Sequence, residues 1–260
     1  IRVAAASLLP DTKKSSQLAI PVLVAAREKA TPETQWRIDQ ALVGAYQITE
    51  QWEPMLAAAD RLVEKFPDSD IAFRAAGIAM SKLKREEELR KRALARLERL
   101  PDNIIAQQLL GTLSLSAGQY DEAVKYFGGV LERANPTAGD YNEHAWASLF
   151  AKKDLDRALE NAQLAATESP EAHSIQNTLA VLFAEQGRTS EAREALLKCA
   201  ELSESGELNT VDWYIVGRLA ENYGIHDAAA EAYQKVTKPE RVKGSTWELA
   251  QARLAGLGKR

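Results

Sequence analysis

The stretch GQYDEAVKYFGGVLERANP, running from Gly118 to Pro136, decides how the whole chain is read. Ala123, Phe127 and Val130 stand at i, i+4 and i+7, the spacing of one face of an α-helix. Gly118 precedes that stripe by five residues, where a glycine with positive φ would end a preceding helix. The grammar returns down the chain. Ala158, Ala192 and Ala229 take the place of Ala123; four residues on come Ala162, Leu196 and Tyr233, and seven on come Ala165, Cys199 and Val236. Lys153, Gly187 and Gly224 take the place of Gly118. Pro67, Pro101, Pro136 and Pro170 are spaced 34, 35 and 34 residues apart. A fixed period near 34 marks one supersecondary unit repeated along the chain.

A second helix precedes each stripe. Its apolar residues are Leu110, Gly111 and Leu115 in one unit and Ala145, Trp146 and Leu149 in the next; Leu179, Ala180 and Phe183 follow, then Trp213, Val216, Gly217 and Ala220. Small residues beside large ones suit two helices that cross closely, a bulky side chain entering the gap left by a small one. Each unit is therefore helix, turn, helix and a break.

This pattern resembles the tetratricopeptide repeat, written W-x2-L-G-x2-Y, then A-x3-F, then P. Leu110-Gly111, Ala123, Phe127 and Pro136 match one copy, with the proline one residue late, and Trp213, Val216-Gly217, Ala229 and Tyr233 match another. The copies at Ala158 and Ala192 keep the alanine and the length without the leading Trp. Upstream, Met55 and Leu89 stand at the alanine position, while the 34-residue spacing survives and Thr31-Pro32-Glu33 reads as a helix start. The resemblance implies an all-α fold, an α-solenoid of about six helix-turn-helix repeats in a right-handed superhelix. The expected organisation is a single solenoid over 1–260: an N-terminal helix region at 1–30, two divergent repeats at 31–101, four regular repeats at 102–242 and a capping helix at 243–260. That cap, around Ser245–Gly256 with Trp247, Leu249 and Leu254, is expected to cover the last apolar face.

Bulk properties narrow the function. The chain carries 33 Lys and Arg against 37 Asp and Glu, a formal charge of −4 spread along its length. That balance argues against nucleic acid as a partner, which wants a basic face. No stretch reaches the apolar length of a membrane span. The chain starts at Ile1, so it reads as a fragment or processed form, and the compartment stays open between cytoplasm and, after loss of a signal or anchor, an extracytoplasmic space.

Reactive constellations are thin. Asp140 and His144 are four apart on one helix, yet a metal needs three or four converging ligands. Cys199 falls where the family has small buried residues, so its expected role is packing. No phosphate loop, nucleophile elbow or zinc-protease motif is present. The run from Lys82 to Arg99 pairs Glu86 with Arg90, Glu87 with Lys91 and Glu88 with Arg92 at i, i+4. It reads as a solvated outer helix, or alternatively as a basic patch of Arg92, Arg96 and Arg99 for an acidic partner. No catalytic, cofactor or metal site is assigned.

The resemblance implies a groove lined by the first helix of each repeat. Carried onto this chain, its protein- or peptide-binding residues are Arg74, Ile78, Gln108, Thr112, Leu115, Glu143, Phe150, Asn177, Val181, Tyr214, Arg218 and Asn222. Asp140, Glu143, Glu185 and Glu221 make that row too acidic for an RNA reader. The basic and amide residues Arg74, Lys82, Asn177, Arg218 and Asn222 are scattered over different repeats and do not reproduce the carboxylate clamp of chaperone-binding members. The expected function is a non-enzymatic scaffold that binds a protein or peptide segment in the groove. The alternative is a helical module of a larger protein whose catalytic or membrane-anchored part lies outside these 260 residues.

Overall fold

The computed structural model describes residues 12–133, 135–203 and 206–258. Among the described residues there are fourteen α-helices and no strand. An N-terminal helix, α1 (Lys13–Lys29), precedes six successive pairs: α2 (Pro32–Ile48) with α3 (Trp52–Lys65), α4 (Asp70–Lys82) with α5 (Glu86–Arg99), α6 (Ile104–Ser116) with α7 (Tyr120–Leu131), α8 (Ala138–Ala151) with α9 (Leu155–Glu168), α10 (His173–Glu185) with α11 (Thr189–Leu202), and α12 (Thr210–Asn222) with α13 (His226–Gln234). The last helix is α14 (Thr246–Leu257).

The punctuation read in the sequence has a backbone cause. Phe66, Leu100 and Ser169, each just before a ladder proline, end their helices at (φ, ψ) of (−130°, 76°), (−132°, 81°) and (−138°, 68°). A proline ring crowds the α conformation of the residue before it, so these three helices stop in the same way. After Leu131 the late proline leaves another geometry, with Glu132 still near the helical region. Within each pair, the turn position is left-handed: Gly118, Gly187 and Gly224 have φ of 76°, 72° and 75°. The divergent repeats keep the conformation without glycine, at Glu50 (58°) and Lys84 (57°). In the fourth pair it falls on Lys152 and Asp154, either side of the expected Lys153.

The stripe residues are the core. Ala123, Ala158, Ala192 and Ala229 have no exposed surface, and Met55 and Leu89 are equally hidden in the divergent repeats. Small and large residues interlock as the pattern requires: a Cβ on Gly111 would lie 2.7 Å from the Phe127 ring, and one on Gly217 would collide with Tyr233.

The chain forms two compact units, 1–109 and 110–260. In the first, the buried Asp39 of α2 takes the Arg27 guanidinium of α1 at 2.7 Å and that of Arg61 of α3 at 2.6 Å, tying three helices at one carboxylate. The basic run on α5 is spent internally. Arg92 pairs with Asp60 and Glu88. Arg96 is buried, donates to the carbonyls of Pro67 (2.8 Å) and Asp68 (3.0 Å), and reaches Asp70 at 2.8 Å. Arg99 donates to the Pro67 carbonyl at 2.8 Å. These arginines fasten the proline break of one repeat to the second helix of the next. Of the two readings of this run, neither a solvated face nor a free basic patch describes Arg96.

In the second unit, the helices from α8 onward share one apolar cluster that takes in Leu149 and Phe150 of α8, Val181 to Ala184 of α10, Tyr214 and Ile215 of α12, Tyr233 of α13 and Ala250 of α14.

Candidate protein-binding groove

In the first unit the expected row starts in the open at Arg74, three residues after Ile71 on the same helix α4. Ile71 is 73% exposed, Arg74 is exposed, and Ile78 and Gln108 are half-buried. Arg74 donates to the Gln108 side chain at 3.4 Å. A shallow cavity of about 610 Å3 adjoins Ile71, with Trp36, Gln40, Leu62 and Phe66 on its walls. Trp36 and Phe66 meet edge to face, their centroids 5.5 Å apart.

The row in the second unit is largely covered. Thr112 is exposed, and Leu115 and Glu143 are half-buried. Phe150, Asn177 and Arg218 are buried, and Val181 and Tyr214 have no exposed surface. Asn222 stays exposed and donates its side-chain amide to the Ala184 carbonyl at 2.8 Å. The C-terminal segment packs on the same apolar cluster. It does cover the last repeat, packing on α12 and α13. It also reaches residues of the third, fourth and fifth repeats, which the expected terminal cap would leave untouched.

One end is fixed around Gly244. Its φ is +71°, and a Cβ there would lie 2.8 Å from the Leu115 side chain, so both backbone and space call for glycine. Trp146 donates its indole N–H to the Gly244 carbonyl at 3.0 Å. Glu248 accepts from the Tyr120 hydroxyl, from the Gly244 N–H at 3.1 Å and from Lys243 at 2.8 Å. Burial would raise the Glu248 carboxyl, but Lys243, Tyr120 and the Gly244 amide outweigh it and hold it below the usual range. Burial and Glu248 push the Tyr120 phenol up to about 12.

The other end enters a partly buried polar network, in which Arg218, Tyr214 and Tyr233 are buried and Glu185, Glu221 and Arg253 stay partly exposed. Arg253 of α14 donates to Glu185 Oε2 at 2.5 Å and comes within 3.7 Å of Glu221. Glu185 Oε1 accepts from Tyr214 at 2.6 Å and lies 2.6 Å from Arg218 Nε. Glu221 accepts from Arg218 Nη1 and from the Tyr233 hydroxyl, both at 2.8 Å. Two carboxylates and two guanidiniums balance in charge, and the phenols fill remaining acceptor sites. A buried pair of this kind is tolerated because its lone pairs are occupied; removing one member leaves a buried charge without its counterion. Burial would raise Glu221, yet Tyr233, Arg218 and Arg253 bring it below the normal carboxylate range. The Tyr214 phenol is driven well above its ordinary value by burial and by Glu185.

Between the two ends, Trp247, Leu249, Ala250, Leu254 and Leu257 of α14 pack into the apolar cluster that runs from α8 through α13. Glu185 and Glu221 were legible as acidic members of the row. Arg253, Glu248, Gly244 and Trp146 were not: repeat register carries no information about where a chain returns after the register ends.

Elsewhere the chemistry is structural. His144 is buried and its Nδ1 accepts from the Asn161 amide at 2.9 Å, while Asp140 takes the Thr137 N–H at 2.8 Å and the Arg133 guanidinium. Among the described residues no group of three or more His, Cys, Asp or Glu side chains could hold a metal ion. Cys199 is buried, its thiol pushed up to about 12 by burial and by Asp212, so it stays protonated and packs as a small apolar group. No described helix is long and apolar enough to cross a membrane.

Residues 173–205, the span of α10 and α11, match a family model described as a tetratricopeptide repeat. No curated protein matches the chain. Among solved structures, a tetratricopeptide repeat protein from Parabacteroides merdae is 17% identical with a TM-score of 0.62, over 95% of this chain and 94% of that one. Pseudomonas aeruginosa PilF is 17% identical with a TM-score of 0.61, over 88% of this chain and 99% of that one. YrrB, described as a tetratricopeptide repeat protein with an unusual peptide-binding site, is 16% identical with a TM-score of 0.55, over 70% of this chain and 91% of that one. The fold is consistent with a protein–protein interaction scaffold, and repeats of this family are generally non-catalytic. Residues 173–205 are thus recognised in sequence as one tetratricopeptide repeat, and the chain as a whole has the fold of tetratricopeptide repeat structures.

Proposed function

We propose that the chain is a non-enzymatic scaffold that binds a protein segment along the row formed by the first helices of its repeats. The observation that carries this reading is that part of the row already meets a helix: α14, packed on α12 and α13, joins the apolar cluster that holds Phe150, Val181 and Tyr214 and pairs its Arg253 with Glu185. A surface that accepts one helix with satisfied polar groups has the width and chemistry for helix-in-groove or extended-peptide recognition. The site in YrrB supports the reading by fold alone. In the first unit the row is open at Ile71 and Arg74, and a partner segment would bind there directly, an apolar anchor entering the cavity beside Trp36 and Phe66.

The test is affinity capture from the source cell with the wild type and with Ile71→Asp combined with Arg74→Glu. Both side chains are exposed, so the thermal midpoint should stay put. A protein retained by the wild type and lost by the variant supports the row; equal retention by both rejects it.

A further inference from the structure

We infer that the row of the second unit is a helix-binding groove held shut by α14, and that it admits in trans an amphipathic helix carrying α14's own register, a small residue followed three positions on by arginine and four on by leucine. This rests on the scaffold reading above and specifies the partner for one part of it. In α14 those positions are Ala250, Arg253 and Leu254.

Ala250 has no exposed surface, so a larger side chain there would lift the helix off the row. Leu254 belongs to the apolar cluster. Arg253 meets two carboxylates, Glu185 at 2.5 Å and Glu221 at 3.7 Å. With only Arg218 beside them, those two carboxylates would face an opened groove with an excess negative charge. The groove is therefore selective for a cation at that position. Twelve residues of helix run about 18 Å, and α14 uses that length to pass from Tyr120 at one end to Glu185 and Glu221 at the other, with Trp146 held by Gly244 just before it. The segment from Gly244 to Leu257 thereby touches four consecutive repeats rather than the last alone. An intramolecular ligand presents itself at a high effective concentration, so a partner helix must either bind more tightly or meet a chain whose α14 has been loosened.

The two ends of α14 offer separate handles. Arg253→Glu sets a third carboxylate against Glu185 and Glu221, and Glu248→Lys removes the acceptor for Tyr120 and Lys243. The probe is a fluorescent peptide of residues 239–258 with the natural sequence, its binding read by anisotropy on the full chain. Hydrogen exchange across 246–257 reports whether the helix has been released. The expected result is rapid exchange of that helix in the double variant with other helices unchanged, and peptide affinity at least tenfold above that of the wild type. A peptide with Arg253→Ala should lose at least tenfold of that gain. If the double variant unfolds, Leu254→Ala serves as the milder opening with the same readouts. Four outcomes overturn the inference: unchanged exchange at 246–257, an opened chain that ignores the peptide, equal affinity for both peptides, or a chain that dimerises by trading α14, which would assign the groove to a second copy. None of these outcomes bears on capture at Ile71 and Arg74, so failure here and failure of the scaffold reading are distinguishable.

Discussion

At Glu50 and Lys84 the backbone is left-handed, with φ of 58° and 57°, in a turn that Gly118, Gly187 and Gly224 make elsewhere at φ between 72° and 76°. A side chain in this region carries a steric cost of about 1–2 kcal/mol that glycine avoids, offset in part by the greater freedom of glycine in the unfolded chain. Glu50→Gly and Lys84→Gly are each expected to raise stability by roughly 0.5–1 kcal/mol. The reverse change, Gly187→Ala, has open space around the added methyl, so its expected loss of about 1 kcal/mol is a backbone effect alone. Urea midpoints of the three variants check this. A fall for Glu50→Gly and Lys84→Gly, as a glycine inside a helix would give, would show that the turn does not need the conformation.

At the scale of elements, α5 separates arginines that a sequence presents as equivalent. Arg96 is buried and serves three oxygens of the 67–70 break, while Arg92 is a partly exposed partner of Asp60 and Glu88. Arg96→Ala removes the donor to the Asp68 carbonyl and one of two donors to the Pro67 carbonyl and to Asp70, which keep Arg99 and Asn103, and should cost about 2 kcal/mol. Arg92→Ala should cost less than about 1 kcal/mol, because solvent screens and replaces its pairs. Chemical denaturation distinguishes the two, and equal costs would reject the assignment. The difference also shows what was legible. Register in Ala123, Ala158, Ala192 and Ala229 gave the helices and the core, because a buried stripe must recur with the helical period. It could not rank Arg92 against Arg96, since both face the neighbouring repeat and only the path of the 67–70 break decides which one is enclosed. For the same reason Tyr214 and Val181 were placed on the right helices and expected at the surface, whereas both lie inside the apolar cluster on which α14 also packs, and that docking leaves no periodic trace.

For the molecule as a whole, acid should act in two stages set by groups far apart in the chain. His144 has its pKa lowered, first by burial and then by Arg157, against a smaller opposing effect of Asp154. It is neutral in the fold, so the stability it contributes is complete above its unfolded value of about 6.5 and is lost as pH falls from there through the lowered value. Glu221 and Glu248 also have lowered values, so their contributions are complete above an unfolded value of about 4.3 and vanish only below it. The thermal midpoint should therefore decline gently as pH falls below about 6.5 and steeply below about pH 4.5. His144→Gln keeps an acceptor for Asn161 and should flatten the first decline alone. Glu221→Gln should flatten the second and, at neutral pH, loosen α14 by weakening the carboxylate pair that faces Arg253. Midpoints measured across that range for the two variants decide the matter: a single decline, or a first stage that survives His144→Gln, would mean that acid reaches the fold through other groups. The two stages also carry different consequences, since the first concerns the packing of α8 on α9 and the second the closure of the groove. A partner helix would thus gain access to the second unit only in the second stage, after the packing of α8 on α9 has already weakened.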